Sequence, residues 1–147
     1  MKISTKIRYG TRAMLELASR YGEGPIDLRE ISEKESIPLK YLEQVFIPLR
    51  VAGLVKSIRG AKGGYILGRS PSEIHLSDLV EALDGPIRLI ECLHDQKFCK
   101  KYSICVMREV WKEVSDSIER ILRSLTLEDL VNRKIEKDNF IDYLYQI

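Results

Sequence analysis

The chain lacks any long uncharged apolar run, and nothing in it approaches the ~18 residues that a membrane span requires. Lys2, Lys6 and Arg8 stand near its start, but no apolar core follows them, so no signal peptide is expected. The cytoplasm is the expected compartment, and no membrane partner is expected. Paired carboxylates in a pocket-like context, a nucleophile with its base, and a phosphate-binding loop are all missing, so an enzyme is not expected. Histidine is limited to His75, read as structural or solvated, and His94. Cysteine is sparse too: Cys92, Cys99 and Cys105 are odd in number and confined to one short stretch. In a reducing compartment that pattern suits a metal or redox site better than a disulfide framework. Internal repeats, low-complexity tracts and flexible linkers are also absent.

What is present is enough for a core. The 147 residues are 44% hydrophobic and 31% charged, which is not a disordered composition. The formal charge of +2 conceals an asymmetry. Residues 1–70 carry 13 Lys and Arg against 7 Asp and Glu, a net of +6, while residues 71–147 carry 11 against 15, a net of −4. A basic half joined to an acidic half suggests that one end meets a polyanion.

Periodicity predicts a first helix from a Ser4 or Thr5 cap to about Tyr21, with Met14, Leu17, Ala18 and Tyr21 on its apolar face. Asp27 with Glu30 reads as a capping box for a short second helix carrying Leu28 and Ile31. Ser36-Ile37-Pro38 is a turn. The third helix, about Leu39 to Ala52, aligns Leu42, Val45, Phe46 and Leu49, with Lys40, Glu43, Gln44 and Ile47 opposite. Pro48 should kink it. Two short strands, Leu54 to Ile58 and Tyr65 to Leu67, flank a glycine-rich tip at residues 59–64. A fourth helix fits Leu76 to Leu83, starting at Ser77 or in the preceding loop. A loop of about residues 87–102 holds the cysteines. From about Ser103 a long helix carries Ile104, Met107, Trp111, Val114, Ile118, Ile121 and Leu125 in steps of three and four, a seam of ~30 Å. Thr126 then caps a last short helix, Leu127 to Val131.

Helix, helix, turn, helix and hairpin is the layout of a winged helix-turn-helix. The expected fold class is mostly α with a small β wing, joined to a long dimerisation helix. The expected division is a reader at 1–84, a cysteine loop at 85–102, and the dimerisation helix with C-terminal short helices at 103–147. A reading helix needs one apolar stripe to hold it and one polar face free to enter the major groove. Lys40, Tyr41, Glu43 and Gln44 suit that face, and Arg50 adds a backbone contact. On the hairpin, Ser57, Arg59, Gly60 and Lys62 form a thin charged wing whose Arg can enter the minor groove. A phosphate loop is excluded there, since GxxxxGK[ST] is not matched and both flanks are strand-like. The seam predicts a homodimer.

Three stretches carry a resemblance: Ile3–Gly10, Ile37–Gln44 and above all Ser57–Tyr65, SIRGAKGGY. The chain resembles the Rrf2 family of winged helix-turn-helix transcriptional regulators, within it the iron–sulfur cluster regulator branch, IscR. With the cysteines, the long helix and Thr126–Leu130, the resemblance extends to about residue 131. It implies a homodimer on double-stranded DNA with a pseudo-palindromic site. It implies base-reading or phosphate-contacting roles for Tyr41, Glu43 and Gln44, and a minor-groove role for Arg59.

The spacing Cys92-x6-Cys99-x5-Cys105 matches neither zinc ribbons nor ferredoxin runs. By resemblance, this trio holds an iron–sulfur cluster, 2Fe–2S ahead of 4Fe–4S as the alternative. Thiolate is a soft donor suited to iron, and Lys97, Lys100 and Lys101 would offset cluster charge. A fourth ligand is missing: where the branch has a histidine, this chain has Arg108. His94, Glu91, Asp95, Glu109 and a residue of the partner subunit are the candidates. The expected function is therefore sequence-specific transcriptional regulation sensing cluster or redox status. The alternative is a cluster-free regulator controlled by thiol oxidation or a protein partner. An electron carrier fits the basic half less well.

Overall fold

In the computed structural model, which describes residues 2–147, Ser4 starts the first helix. Its hydroxyl accepts the Ile7 N–H at 3.2 Å, satisfying an orphan donor of the first turn. α1 (Thr5–Ser19) buries Ala13, Met14, Leu17 and Ala18. It ends earlier than its periodicity suggests. Tyr21 lies in the following turn and is 56% exposed, because the backbone has already left the helix at Arg20.

α2 (Leu28–Glu35) is capped by the Asp27 carboxylate, which accepts the Arg29 N–H at 2.8 Å. The expected reciprocal bond from Glu30 does not form. Glu30 pairs with Arg20 at 2.8 Å instead, a charged donor outcompeting a neutral one. Ser36 then adopts left-handed φ 52°, ψ 46°. Ser32 clamps this turn: its carbonyl accepts the Ile37 N–H at 3.0 Å and its hydroxyl donates to Ile37 O at 2.6 Å. The turn launches α3 (Leu39–Val51), which runs unbroken through Pro48. Pro48 offers no N–H to the Gln44 carbonyl, and Phe46 and Leu49 on either side of it are fully buried.

β1 (Val55–Ile58) and β2 (Gly64–Leu67) pair antiparallel in the register Val55 to Leu67 and Ile58 to Gly64. Ile26 adds a bridge to Tyr65 through two backbone bonds of 3.0 and 2.8 Å, so the wing is tied to the α1–α2 loop. α4 (Leu76–Asp84) starts at Leu76 as its periodicity suggests, with His75 in the preceding loop as its cap, and the His75 N–H donates to the Asp78 carboxylate at 2.9 Å. Leu79 and Leu83 close the core over α1. The approach is tight: a Cβ at buried Gly10 would meet Leu83 Cδ1 at 2.5 Å.

α5 (Val106–Ser124) begins three residues later than expected, and Ile104 lies in a 3-10 turn before it. The larger correction concerns α6. It spans Leu127–Tyr145, 19 residues, rather than the short Leu127 to Val131. The regular apolar steps stop after Val131, but no Gly or Pro follows to end the helix. Its cap is a full box: Asp129 N–H donates to Thr126 Oγ1 at 3.1 Å and Thr126 N–H to Asp129 Oδ2 at 2.9 Å. The Thr126 N–H and the Thr126 hydroxyl, which also donates to Asp129 Oδ2 at 2.9 Å, lower the pKa of the Asp129 carboxyl. The α5–α6 corner is stapled to the reader. Leu76 N–H reaches Leu125 O at 2.8 Å, Leu127 N–H reaches Ile74 O at 2.9 Å, and the Leu127 side chain is fully buried.

One buried group is charged. Glu16 is 1% exposed and accepts from Lys34 Nζ at 2.5 Å and Lys134 Nζ at 3.2 Å. Burial alone would raise its pKa. The hydrogen bonds and charges of Lys34 and Lys134 outweigh burial, and the net shift is downward. A lowered folded pKa stabilises the protein above the ordinary carboxylate range and is lost as pH falls through the folded value. Glu16→Gln should therefore reduce stability at pH 7 by about 1–3 kcal/mol, the partners being partly hydrated. In thermal melts the gap between wild type and Glu16→Gln should close as pH is lowered below about 4. A gap unchanged between neutral and acid pH would contradict this account.

Candidate nucleic-acid interface

The exposed face of α3 is a continuous stripe. Lys40, Glu43, Gln44, Ile47 and Val51 follow steps of three, one, three and four and are all exposed, while Leu42, Val45, Phe46 and Leu49 are buried on the other side. The sequence reading placed Lys40, Glu43, Gln44 and Ile47 there. It missed Val51, 82% exposed, and Ile47 is 54% exposed. Apolar groups on a groove-facing surface suit thymine methyl contacts. Arg50 is exposed in the last turn of the helix.

Tyr41 differs from its neighbours. It is half-buried, with its ring edge-on to Tyr9 at 5.4 Å and 89°. Arg8 lies 5.7 Å over the Tyr9 ring. Tyr41 thus packs α3 to α1 by its body, and only its hydroxyl end can serve a phosphate. Pro38 at the helix start offers no side-chain cap, which leaves the first N–H groups of α3 without an internal side-chain partner. Such groups suit a phosphate oxygen.

The wing stands beside this face. Ser57 sits opposite Tyr65 on the hairpin, and Arg59, Gly60 and Lys62 are exposed at its tip. Tyr65 packs its ring on Phe46 at 4.8 Å, so the hairpin and the reading helix share one aromatic contact. Gly64 leaves no room for a side chain. Its φ is 153°, and a Cβ there would meet Ile26 O at 2.3 Å. All nine expected interface residues therefore lie on α3 or on the hairpin packed against it.

One residue that positions α3 escaped the sequence reading. Arg12 of α1 donates to the Glu35 carboxylate at 3.0 Å and to the Glu35 carbonyl at 2.6 Å, fixing the end of α2 beside the expected turn at Ser36. It looked like an ordinary polar surface residue, and only the close approach of α1 to the α2–α3 turn gives it a task.

The cysteine loop is arranged differently from its expectation. Cys92 and Cys105 are half-exposed and Cys99 is exposed, all as free thiols. Among the described residues, no three His, Cys, Asp or Glu side chains gather closely enough to hold a metal ion. Arg108 is engaged elsewhere: its guanidinium lies 4.0 Å over the Tyr102 ring and donates to Tyr102 O at 3.1 Å. It thereby pins the 3-10 turn to the first turn of α5. His94 lines an open cavity of about 500 Å³ with His75, Asp78, Glu81, Glu119 and Arg123, between α4 and α5. In this arrangement the three thiols are separate rather than gathered as the ligands of one cluster would be.

Residues 3–133 match the profile of the Rrf2 family, described as an iron-dependent transcriptional regulator. The chain is 48% identical over 132 residues to the HTH-type transcriptional regulator CymR of Bacillus subtilis, covering 90% of this chain and 91% of that one. The solved structure of CymR, called the global cysteine regulator of B. subtilis, superposes with a TM-score of 0.79 and 46% identity, over 90% of this chain and 98% of that one. The structure of IscR from T. potens superposes at 0.76 with 41% identity, over 91% of this chain and 88% of that one. Both are winged regulators, so the fold class read from the sequence holds. Among the described residues, no helix is long and apolar enough to cross a membrane.

The interface makes separable demands on Arg59 and Glu43. Arg59→Ala should weaken binding to a selected operator by about 1–3 kcal/mol. In a major groove a carboxylate at Glu43 would repel phosphate and need a donor such as cytosine N4, and would filter sequences more than add affinity. Selection of bound sequences from a random pool should broaden for Glu43→Ala, with affinity kept on some. An operator bound equally by Arg59→Ala, or an unchanged sequence preference for Glu43→Ala, would remove that residue from the interface.

Proposed function

The chain belongs to the Rrf2 family of transcriptional regulators, and on that premise we propose that it binds a pseudo-palindromic site on double-stranded DNA as a homodimer and is controlled through the thiols of its cysteine loop. The observation that carries the DNA reading is the two-sided α3, polar and exposed along one stripe and locked to the core along the other. The wing packed on it by Tyr65 and Phe46 adds a second contact in an adjoining groove.

Dimerisation rests on α5. The helix has no buried residue, and it exposes Met107, Val110, Trp111 and Ile121. An apolar row of this length facing water is unstable in a monomer and self-complementary in a two-fold pair. Trp111→Asp should yield monomers or aggregates in sedimentation. A wild-type chain that sediments as a monomer at micromolar concentration would remove the dimer.

Thiol control is favoured over cluster binding by two observations. The three thiols are accessible but not gathered, and Arg108 is committed to Tyr102. The loop joins α4 to α5, the reader to the arm, so a covalent change in it alters how the two are held. The similarity to CymR, named for cysteine regulation, agrees with this. A cluster is the second reading. It is favoured by three soft donors in one loop and by the iron-dependent description of the family.

One set of measurements separates the two readings. Anaerobically purified protein should carry no stoichiometric iron or sulfide. Oxidation with diamide should change operator affinity by about tenfold, reversibly with dithiothreitol. The variant with Cys92, Cys99 and Cys105 all changed to Ser should lose that response and keep its fold. Stoichiometric iron and sulfide would install the cluster reading instead. With neither iron nor a redox effect, the cysteine loop is not the sensor.

A further inference from the structure

Glu16 is the one buried polar or charged residue of the described core, and it lies away from the DNA-facing stripe. An apolar side chain of similar size would fill the same space without the loss of hydration that a carboxylate suffers. What the carboxylate adds is connection. Its two oxygens are taken by lysines from two different helices, Lys34 at 2.5 Å and Lys134 at 3.2 Å.

The places of those lysines give the connection a direction. Lys34 lies in the last turn of α2, two residues before Ser36, whose left-handed turn launches the reading helix. Lys134 lies on α6, seven residues beyond Leu127, about two turns or ~10 Å along the axis. Leu127, with Leu130 and Val131 packed beside it against the core, and the backbone bonds at residues 74–76 hold the first turn of α6 and the corner before it. Apolar contact over one turn tolerates small changes in the direction of a helix, and a directional pair about two turns from its start narrows them. Because α5 and α6 meet at Leu125 and Thr126, the direction of α6 is tied to the corner that carries α5.

We infer that Glu16 is a positioning residue for DNA recognition: through Lys34 and Lys134 it couples α6 to the end of α2 and so sets the angle between the reading helix and the α5 arm. This rests on the reading of the protein as a dimeric DNA-binding regulator. In such a dimer the two reading helices must match half-sites about 34 Å apart. A small change of angle at the corner is magnified along the arm into a change of spacing. The latch therefore acts on the separation of the two heads and leaves what each head reads unchanged.

Lys134→Met tests this with little risk to folding, because it keeps the stem and leaves Glu16 paired with Lys34. The probes are DNA with one half-site, with two at the selected spacing, and with two moved apart by one base pair. Circular dichroism and sedimentation should match wild type, as should affinity for the single half-site. Affinity at the selected spacing should fall about tenfold, and the penalty for the shifted spacing should shrink by a similar factor. Lys134→Arg should restore both, and Lys34→Met should repeat the effect of Lys134→Met from the other end. The inference is overturned if both Met variants discriminate spacings as wild type does. It is equally overturned if they lose the same factor on one half-site as on two, which would be a merely structural effect. If wild type itself prefers two half-sites no more than one, the dimeric reading fails, and the inference falls with it.

Discussion

A reading helix must be held firmly by one side while the other stays wet, and most of this molecule follows from that demand on α3. Leu42, Val45, Phe46 and Leu49 bury one stripe, each removing apolar surface worth roughly 1.5–3 kcal/mol from water. Everything that meets this stripe is arranged around it. α1 comes close at Gly10, where a Cβ would press on Val45 of α3 and Leu83 of α4, α4 closes from the far side with Leu83, and the wing rests on Phe46 through Tyr65. The polar stripe is left free because no element covers it.

Orientation needs more than packing. The α2–α3 turn is held by directional groups: Arg12 on Glu35, Ser32 on both sides of Ile37, and Lys34 on Glu16. Hydrogen bonds and ion pairs of this kind add little net stability, but they discriminate between neighbouring geometries that apolar contact would tolerate equally. The same division appears at the α5–α6 corner. Leu127 provides the burial, while the bonds at Leu76 and Leu127 and the Glu16–Lys134 pair decide the angle.

The segment between α4 and α5 has little of either kind of support. Residues 87–105 hold two 3-10 turns and no fully buried side chain, and the Arg108–Tyr102 contact and the Glu91–Leu93 turn tie the segment to α5. Low burial makes such a segment inexpensive to rearrange. Its position between reader and arm gives a rearrangement consequences for both, which is why chemistry at three thiols can matter to a surface that contains none of them.

Much of the reader was legible in order along the chain. The stripe of α3, the Ser4 cap, the hairpin and the glycine-rich tip are local patterns, written in periods of 3.6 and 2 and in turn residues, and local geometry reproduces them. Their errors were also local: Tyr21 continued a period past the end of α1, and Asp27 with Glu30 matched a box that Arg20 dissolved by offering Glu30 a stronger partner. The full length of α6 was less legible, since its outer turns show no single apolar face and only the lack of a breaker announces them. By itself, then, the sequence determined which elements form and which face of the reading helix is polar. Tertiary structure decided the rest: that Glu16 is buried between lysines 18 and 118 residues away, that Arg12 caps a helix it does not belong to, and that the thiols do not meet. Those outcomes depend on where separate elements come to lie against one another, and no period along the chain records that distance.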